Sequence, residues 1–269
     1  MKNFFAVLVL FLTFLISCGV SAEEHIVERG ETALQIALDH NLTMEQLTQL
    51  NPGIDLEMMI AGQKLTVPEK GVSFEEFRNQ QYGEMLRIND LTCSILADNS
   101  ALCLFHAENL TELPLYDIRL QASVHGQNGN SGITEVSTAL MQIVPGETLP
   151  AAVSIRGPFD TVENAEITVL NLSRSELLTA SFRIPEETYR QTISILPDGI
   201  SAMVTMEFFP ENLQAFQGKT VNLLAAAYDE SGNLTGVRSL YSDFYPRLDI
   251  TVYSASGKIA DVKLTAEVY

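Results

Sequence analysis

The sequence predicts a multidomain protein in which a small α+β module, in the order strand, helix, helix, strand, precedes two all-β antiparallel sandwich domains. Three observations support this prediction. Helical spacing of apolar residues is confined to the first part of the chain, an alternating apolar pattern begins at about residue 84, and the alternating region contains an internal repeat. The predicted segments are a signal peptide, the α+β module, a linker and two β-domains, with the boundaries 1–22, 23–68, 69–83, 84–175 and 176–269.

The N-terminus is predicted to be a targeting segment and not part of the fold. Lys2 precedes an apolar run from Phe4 to Ile16, which has signal-peptide length and is too short to span a bilayer comfortably. Two cleavage sites remain open. The stretch ending at Cys18 resembles the bacterial lipobox, which implies a lipid on Cys18, and Val20-Ser21-Ala22 fits ordinary signal peptidase. The chain has three cysteines and two of them are predicted to pair, so the odd cysteine favours the lipobox.

Composition limits the classes of partner. The formal net charge of -18 disfavours a nucleic-acid partner, because phosphates are bound by Lys and Arg. A hydrophobic content of 46% is enough for real cores in two or three domains. Composition therefore predicts a folded protein that binds no nucleic acid, and the targeting segment predicts that it is exported to the cell envelope.

Two helix starts are clear in the α+β module. Thr32 is followed three residues later by Gln35, and Thr43 by Gln46, so each pair predicts a capping box. Leu42 and Leu47 add a hydrophobic staple to the second helix, and Asn51-Pro52-Gly53 ends it. Leu34, Ala37 and Leu38 recur at helical spacing and are predicted to form the buried face of the first helix, as are Leu47 and Leu50 in the second.

The segment from His25 to Pro68 resembles the LysM module. The resemblance is carried by several short motifs in the right order, namely Ile26-Val27, Gly30-Glu31-Thr32, Ile36-Ala37, Asn51-Pro52 and the closing run from Ile60 to Pro68. It implies binding of peptidoglycan or other N-acetylglucosamine oligomers, without a cofactor, in a shallow groove. Carried over by position, the glycan-binding residues are Gly30, Glu31, Thr32 and Ala33 on one side and Ile54, Met59, Ile60 and Ala61 on the other. Two alternatives stay open, that Thr32 only caps the helix and that Ile60 only fills the core.

The two β-domains are related by duplication. Ile118–Val124 maps onto Val221–Ala227, and Phe105 onto Phe208, by a shift of 103 residues. Later in the repeat, Ile167 maps onto Val262 by a shift of 95 residues, as Val153 does onto Leu248. The second copy is therefore predicted to have lost eight residues after its central hairpin, since loops tolerate length changes better than strands.

The first β-domain resembles the FxLYD-type domains of bacterial envelope proteins. The similarity is carried by Pro114-Leu115-Tyr116-Asp117, a central hairpin and the turn Pro145-Gly146-Glu147-Thr148. It implies small immunoglobulin-like sandwiches without catalytic chemistry, which act as spacers or bind an envelope protein.

Cys93 and Cys103 flank the turn-rich stretch Ala97-Asp98-Asn99-Ser100 and can face each other across a hairpin. An exported protein permits a disulfide between them. The alternative is that Cys93 is only a small apolar residue, since Ile193 occupies the equivalent region of the second copy.

An enzyme is not expected. The four histidines, His25, His40, His106 and His125, have no Ser, Cys or Asp neighbours that indicate a triad. His106 and Glu108 share one strand face, but zinc requires three or four ligands, so no metal site is predicted. Asp229–Asn233 lacks the acid spacing of a calcium loop and is interpreted as a hairpin turn.

Overall fold

The computed structural model describes residues 22–174 and 182–269. The chain divides into two compact units, with the boundary between Gln80 and Gln81. The signal segment and Cys18 lie outside the described residues. No helix among the residues that are described is long and apolar enough to cross a membrane.

The first unit contains the predicted order of strand, helix, helix and strand. Strand β1 (Ala22–Ile26) is followed by helices α1 (Ala33–Asp39) and α2 (Met44–Leu50) and by strand β2 (Lys64–Pro68). The two strands pair antiparallel, with Ala22 opposite Pro68 and Ile26 opposite Lys64. Both helices pack on this pair, and their shared core includes Ile36, Leu47 and Leu65.

The predicted capping box is complete at Thr43, whereas only one of its two hydrogen bonds forms at Thr32. Thr43 Oγ1 accepts from Gln46 N at 3.1 Å, and Gln46 Oε1 accepts from Thr43 N at 2.7 Å, which completes a capping box. Thr32 Oγ1 accepts from Gln35 N at 3.2 Å, but the Gln35 amide donates to Asp39 one turn further along. The second half of the box predicted at Thr32 is therefore replaced by a side-chain pair on the helix surface.

The buried face of α1 differs from the prediction. Leu34 and Leu38 are 58% and 61% exposed, whereas Ala33, Ile36 and Ala37 are buried. Both sets have helical spacing and are offset by one residue, so periodicity alone does not choose between them. The small alanines thus lie on the buried side of α1, and the two leucines are exposed at the surface.

Helix α3 (Phe74–Met85) occupies most of the segment predicted as a linker. Its start is a capping box, since Glu76 N donates to Ser73 Oγ at 3.2 Å and Ser73 N donates to Glu76 Oε2 at 3.1 Å. The sequence indicates only a short amphipathic helix at Phe74–Phe77 within this linker, and the observed helix begins there and is longer.

The second unit begins with seven strands in two antiparallel sheets. The strands are β3 (Leu86–Ile95), β4 (Ala101–Asn109), β5 (Leu115–Gly126), β6 (Ser131–Ser137), β7 (Gln142–Ile143), β8 (Thr148–Ile155) and β9 (Val162–Arg174). One sheet has the order β3-β4-β8, and in the other β5 pairs with β6, β7 and β9. The inward faces of both sheets share one core, which includes Phe105, Leu120 and Ile155.

The rest of the unit also forms one three-stranded and one four-stranded antiparallel sheet. Its elements are β10 (Phe182–Arg183), β11 (Tyr189–Ile195), β12 (Ser201–Phe208), the short helix α4 (Leu213–Phe216), β13 (Thr220–Tyr228), β14 (Leu234–Asp243), β15 (Arg247–Tyr253) and β16 (Asp261–Val268). The sheets have the orders β11-β12-β15 and β10-β16-β13-β14. Their shared core includes Phe208, Leu223 and Val252. Residues 86–174 and 182–268, called here the first and second β halves, meet at a buried cluster that contains Leu104, Ala226 and Leu234.

The strand registers correct part of the predicted duplication. The central hairpins match at a shift of 103 residues, since Gly126 N donates to Asn130 O and Asp229 N donates to Asn233 O. After the hairpin the shift is 97 and not 95, because Ile167 pairs with Ala122 and Leu264 with Ala225. The shift therefore falls from 103 to 97, so the second copy is six residues shorter there and the predicted loss of eight is wrong. Val153 likewise matches Ile250 at a shift of 97, whereas Phe105, which precedes the hairpin, matches Met206 at a shift of 101 and not 103. A slip of two residues preserves the alternating pattern, so the sequence does not distinguish the two shifts.

Candidate functional site

The structure brings the two predicted sides of the glycan groove together at the end of β1. Gly62 N donates to Val27 O, and Val27 N donates to Gln63 O, both at 2.8 Å. These bonds hold the loop before β2 against the residue that leads into the turn at Arg29-Gly30. The two predicted segments, 30–33 and 54–61, are therefore held near each other by the backbone of Val27.

The first side consists of the turn and the start of α1. Gly30 has a φ of +89° and open space at its Cα, so the turn uses a backbone conformation that favours glycine. Thr32 is exposed and its hydroxyl caps α1, whereas the side chain of Ala33 is buried in the core. Among these residues, Gly30 and Thr32 present atoms to solvent, and Ala33 can contribute only its backbone.

Glu31 is held by its own turn. Its carboxylate accepts from Glu28 N at 2.8 Å and lies 2.9 Å from His25 Nε2. The hydrogen bond from Glu28 N and the contact with His25 lower the pKa of Glu31 below its usual value. The carboxylate therefore stabilises the conformation of the turn, which is a role that the sequence prediction did not assign to it.

His25 and His40 form a small ring cluster that the sequence analysis missed. Their ring centroids are 5.7 Å apart in an edge-on arrangement, and His40 Nδ1 lies 3.2 Å from Pro68 O. His25 stands on β1 and faces Glu31, while the buried His40 follows α1. Fifteen residues separate the two histidines, so no local spacing could have indicated their contact.

The second side is the loop before β2. Ile54 and Met59 are partly buried against the core of the module, and Ile60 and Ala61 are exposed. Ile60 is 70% exposed, so the alternative that it fills the core is wrong. Ile60 N donates to Gln63 Oε1 at 3.1 Å, which fixes the loop backbone below the exposed side chain.

The side chain of Asn51 joins the two elements that flank this loop. Its side-chain nitrogen donates to Leu47 O and Thr66 O, both at 2.9 Å, and its oxygen accepts from Thr66 N at 2.7 Å. The buried amide thus joins the end of α2 to β2 and satisfies backbone groups of both. This Asn51 is the first residue of the Asn51-Pro52 motif in the sequence.

Apolar side chains remain exposed on both sides of the predicted groove. Leu34 follows the turn on α1, and Met58 and Ile60 belong to the loop. Isolated exposed apolar residues are common, but these three lie on or next to the two segments that the bonds at Val27 hold together. Exposed apolar side chains of this kind can cover the face of an uncharged sugar ring.

The β halves place their candidate residues in structural roles. His106 Nδ1 lies 3.2 Å from Asp90, its ring stacks on Tyr228 at 6.1 Å, and Glu108 binds Arg87. The Asp229 carboxylate accepts from Ser231 N and Asn233 N within its hairpin turn, and bonds from Asn233 lower its pKa. No group of three His, Cys, Asp or Glu in residues 22–174 and 182–269 is arranged to hold a metal ion.

Cys93 and Cys103 face each other on β3 and β4, and a disulfide joins them. The bond lies next to the core of the first β half, where Cys103 is buried. It closes the hairpin whose turn contains Asn99 in the left-handed conformation.

Comparison with known proteins identifies the class of the first module. Residues 25–68 match the family model of the LysM domain, so this segment is a LysM domain and the sequence prediction is confirmed. The remainder of the described chain is largely β-sheet, in several antiparallel sheets. LysM domains generally bind peptidoglycan and other N-acetylglucosamine glycans.

No curated protein matches the chain. Solved structures similar to it include BuGH86 in its wild-type form and as a variant, each in complex with neoagarooctaose. Each is 10% identical to the chain, covers 66% of it and has a TM-score of 0.21. The matched part spans about a third of the length of those structures, 34% and 33%.

Proposed function

We propose that the protein is an exported, non-catalytic component of the bacterial cell envelope that binds peptidoglycan, or a related N-acetylglucosamine glycan, through its LysM domain. The observation that carries this proposal is the pair of bonds at Val27, which bring the turn at Gly30 and the loop at Ile60 together. Glycan amides bind backbone groups in this groove, and Leu34 and Ile60 cover a sugar ring.

The two β halves are proposed to be immunoglobulin-like sandwiches of the FxLYD type that hold the LysM domain away from its anchor. The equivalent orders of the three-stranded sheets, β3-β4-β8 and β11-β12-β15, support two related sandwiches. The first of these begins at residue 84 and the second at residue 176 in the predicted organisation. We further propose that Cys18 carries the lipid anchor and that an envelope protein binds the β halves.

A second candidate function is an envelope lipoprotein whose LysM domain serves structure or protein interaction and no longer binds glycan. Three of the predicted glycan-binding residues favour this alternative. Glu31 is engaged by its turn, Thr32 caps α1 and Ala33 is buried.

Co-sedimentation with purified peptidoglycan separates the two candidates. The protein is expected in the pellet, and Leu34→Glu should release most of it because a charge replaces exposed apolar cover. Ile133→Glu is the matched control, since Ile133 is similarly exposed at 66% but lies in the first β half. An unchanged, low pellet fraction for all three proteins would favour the second candidate.

A further inference from the structure

Strand β11 is an edge strand whose apolar face is open. Every residue from Arg190 to Ile195 is exposed, although Ile193 pairs with Val204 and Ile195 with Ala202, which are both completely buried. The apolar inner face of this sheet thus continues onto β11 beyond its covered core. In the first β half the equivalent strand β3 is better covered, since Cys93 and Ile95 pack against the core.

The backbone of β11 also has an unused edge. At the hairpin, Leu196 N donates to Ser201 O, and bonded pairs in an antiparallel ladder alternate from that point. The backbone groups of Ile195, Ile193 and Gln191 therefore point away from β12. Within the described residues, β11 pairs with no strand other than β12.

Other edge strands carry features that block strand addition, and β11 does not. Each of the other edge strands in the two β halves contains an acidic residue or a proline, or is only two residues long, and these features disfavour the addition of a further strand. The residues are Asp90 of β3, Glu135 of β6, Pro150 of β8, Glu163 of β9, Asp243 of β14 and Asp249 of β15, and the two-residue strands are β7 and β10. The only charge on β11 is Arg190, next to its first residue. Two copies of a chain with a net charge of -18 repel each other over most of their surfaces. Strand β11 contains no acidic residue, so two β11 strands can pair without placing one carboxylate against another.

We propose that two copies of this chain associate through their β11 strands, which form one continuous six-stranded sheet about a twofold axis at Ile193. This register bonds the outward backbone groups of Gln191 in one copy to those of Ile195 in the other. It places Ile193 opposite its own symmetry mate on the open apolar face. Thr192 then faces Ser194, and Arg190 faces Leu196, so no like charges stand opposite each other.

Sedimentation equilibrium of the purified protein tests this association. The wild-type protein should show a concentration-dependent dimer. Ile193→Lys should raise the dimer dissociation constant at least about tenfold, because two lysines would stand directly opposite each other. Ile133→Lys, an equally simple change on exposed strand β6, should leave the dimer intact. Circular dichroism verifies that both variants are folded.

Two single cysteine variants test the register of the paired strands, and this test does not depend on how well the lysine variant folds. Ile193→Cys should give a disulfide-linked dimer on mild oxidation, whereas Thr192→Cys should not, because its own symmetry mate is displaced along the strand. A wild-type protein that stays monomeric over the accessible concentration range would overturn the proposal. So would a dimer that Ile193→Lys does not weaken.

Discussion

Arg183 and Glu267 form an ion pair in the interior of the second unit, with Arg183 Nη1 2.7 Å from Glu267 Oε2 and Glu267 completely buried. The same guanidinium donates to Glu147 of the first β half, at 2.6 and 2.8 Å. Glu267 in turn accepts from Met141 N at 2.7 Å and from the hydroxyl of Tyr269. One polar network therefore fastens the two β halves together.

Interactions within this network outweigh the cost of removing its charges from water. Burial opposes the charge of Arg183, but its hydrogen bond with Glu147 and the charges of Glu147 and Glu267 outweigh that effect and raise the pKa of Arg183. Burial, together with the hydrogen bond to Glu267, also raises the pKa of Tyr269. Removing one member would leave a buried charge without its partner.

Arg183→Met should destabilise the protein by about 3 to 5 kcal/mol, because Glu267 would stay buried without its cation. Urea unfolding followed by circular dichroism measures this change. Arg247→Met is the matched control, since Arg247 forms an exposed pair with Asp249 and its loss should cost no more than about 1 kcal/mol. Equal effects of the two variants would contradict a stabilising role for the buried network.

The disulfide between Cys93 and Cys103 should contribute about 2 to 3 kcal/mol by the chain-entropy model for a short loop. Denatured, unreduced protein should show no free thiol at either position, and reduction should shift the unfolding midpoint to lower urea. The variant with both cysteines changed to alanine should match the reduced protein. Two reactive thiols before reduction would show that Cys93 is only a small apolar residue.

Glu31 should make the LysM domain sensitive to acid. Its folded pKa lies below the usual value of 4.5, so its stabilising effect is fully present above about pH 4.5 and is lost as the pH falls through the lowered value. Glu31→Gln should therefore be less stable than the wild type at neutral pH, by about 1 kcal/mol, and the difference should shrink in acid. Thermal unfolding across this pH range measures it. Glu57→Gln, on the exposed loop, should not reproduce the convergence.

If the protein is exported and lipidated as proposed, Cys18 should anchor it to a membrane. The several acyl chains of a bacterial lipoprotein exceed the two signals needed for stable attachment, so the protein should fractionate with membranes. Cys18→Ser should release the protein or leave it unprocessed. Mass spectrometry that finds the mature N-terminus at Glu23 would instead support ordinary signal cleavage.

Local signals predicted the LysM domain well, and long-range contacts account for what they missed. The caps at Thr32 and Thr43 and the helix end at Asn51-Pro52 are encoded within a few residues, so they were visible in the sequence. The bond between Asn51 and Thr66 joins residues 15 positions apart and was not predicted. The exposure of Leu34 depends on which of two equivalent helix faces meets the sheet, which periodicity does not specify. The contact between His25 and Glu31 depends on how the turn closes in space.

The same limit applies to the β halves. Alternation indicated the strands, and Gly129 and Gly232 marked equivalent hairpins, because these turns require a positive φ. The predicted match between the copies was wrong by two residues after the hairpin and at Phe105, because such a slip keeps every side chain on its face. The network around Arg183 joins residues that are far apart in sequence, and no local pattern indicates such partners.

Glycan binding should be present but weak, and its response to salt should depend on the charge of the glycan. Between Glu23 and Pro68 there are eight carboxylates against Arg29 and Lys64, a formal charge of -6, and peptidoglycan stem peptides are often anionic. Exposed charges are screened beyond about 8 Å at physiological salt, so repulsion weakens binding without abolishing it. Raising the salt concentration should therefore increase retention on peptidoglycan.

Uncharged N-acetylglucosamine oligomers provide the matched ligand, because their binding should show little salt dependence. NMR shift mapping with millimolar oligomer should show changes at Gly30 to Leu34 and at Ile54 to Gly62, the two segments that the bonds at Val27 hold together. The apolar cover is reduced because Ala33 is buried and Leu34 alone extends from the start of α1. If neither segment responds, the LysM domain serves structure or protein interaction, and the second candidate function is correct.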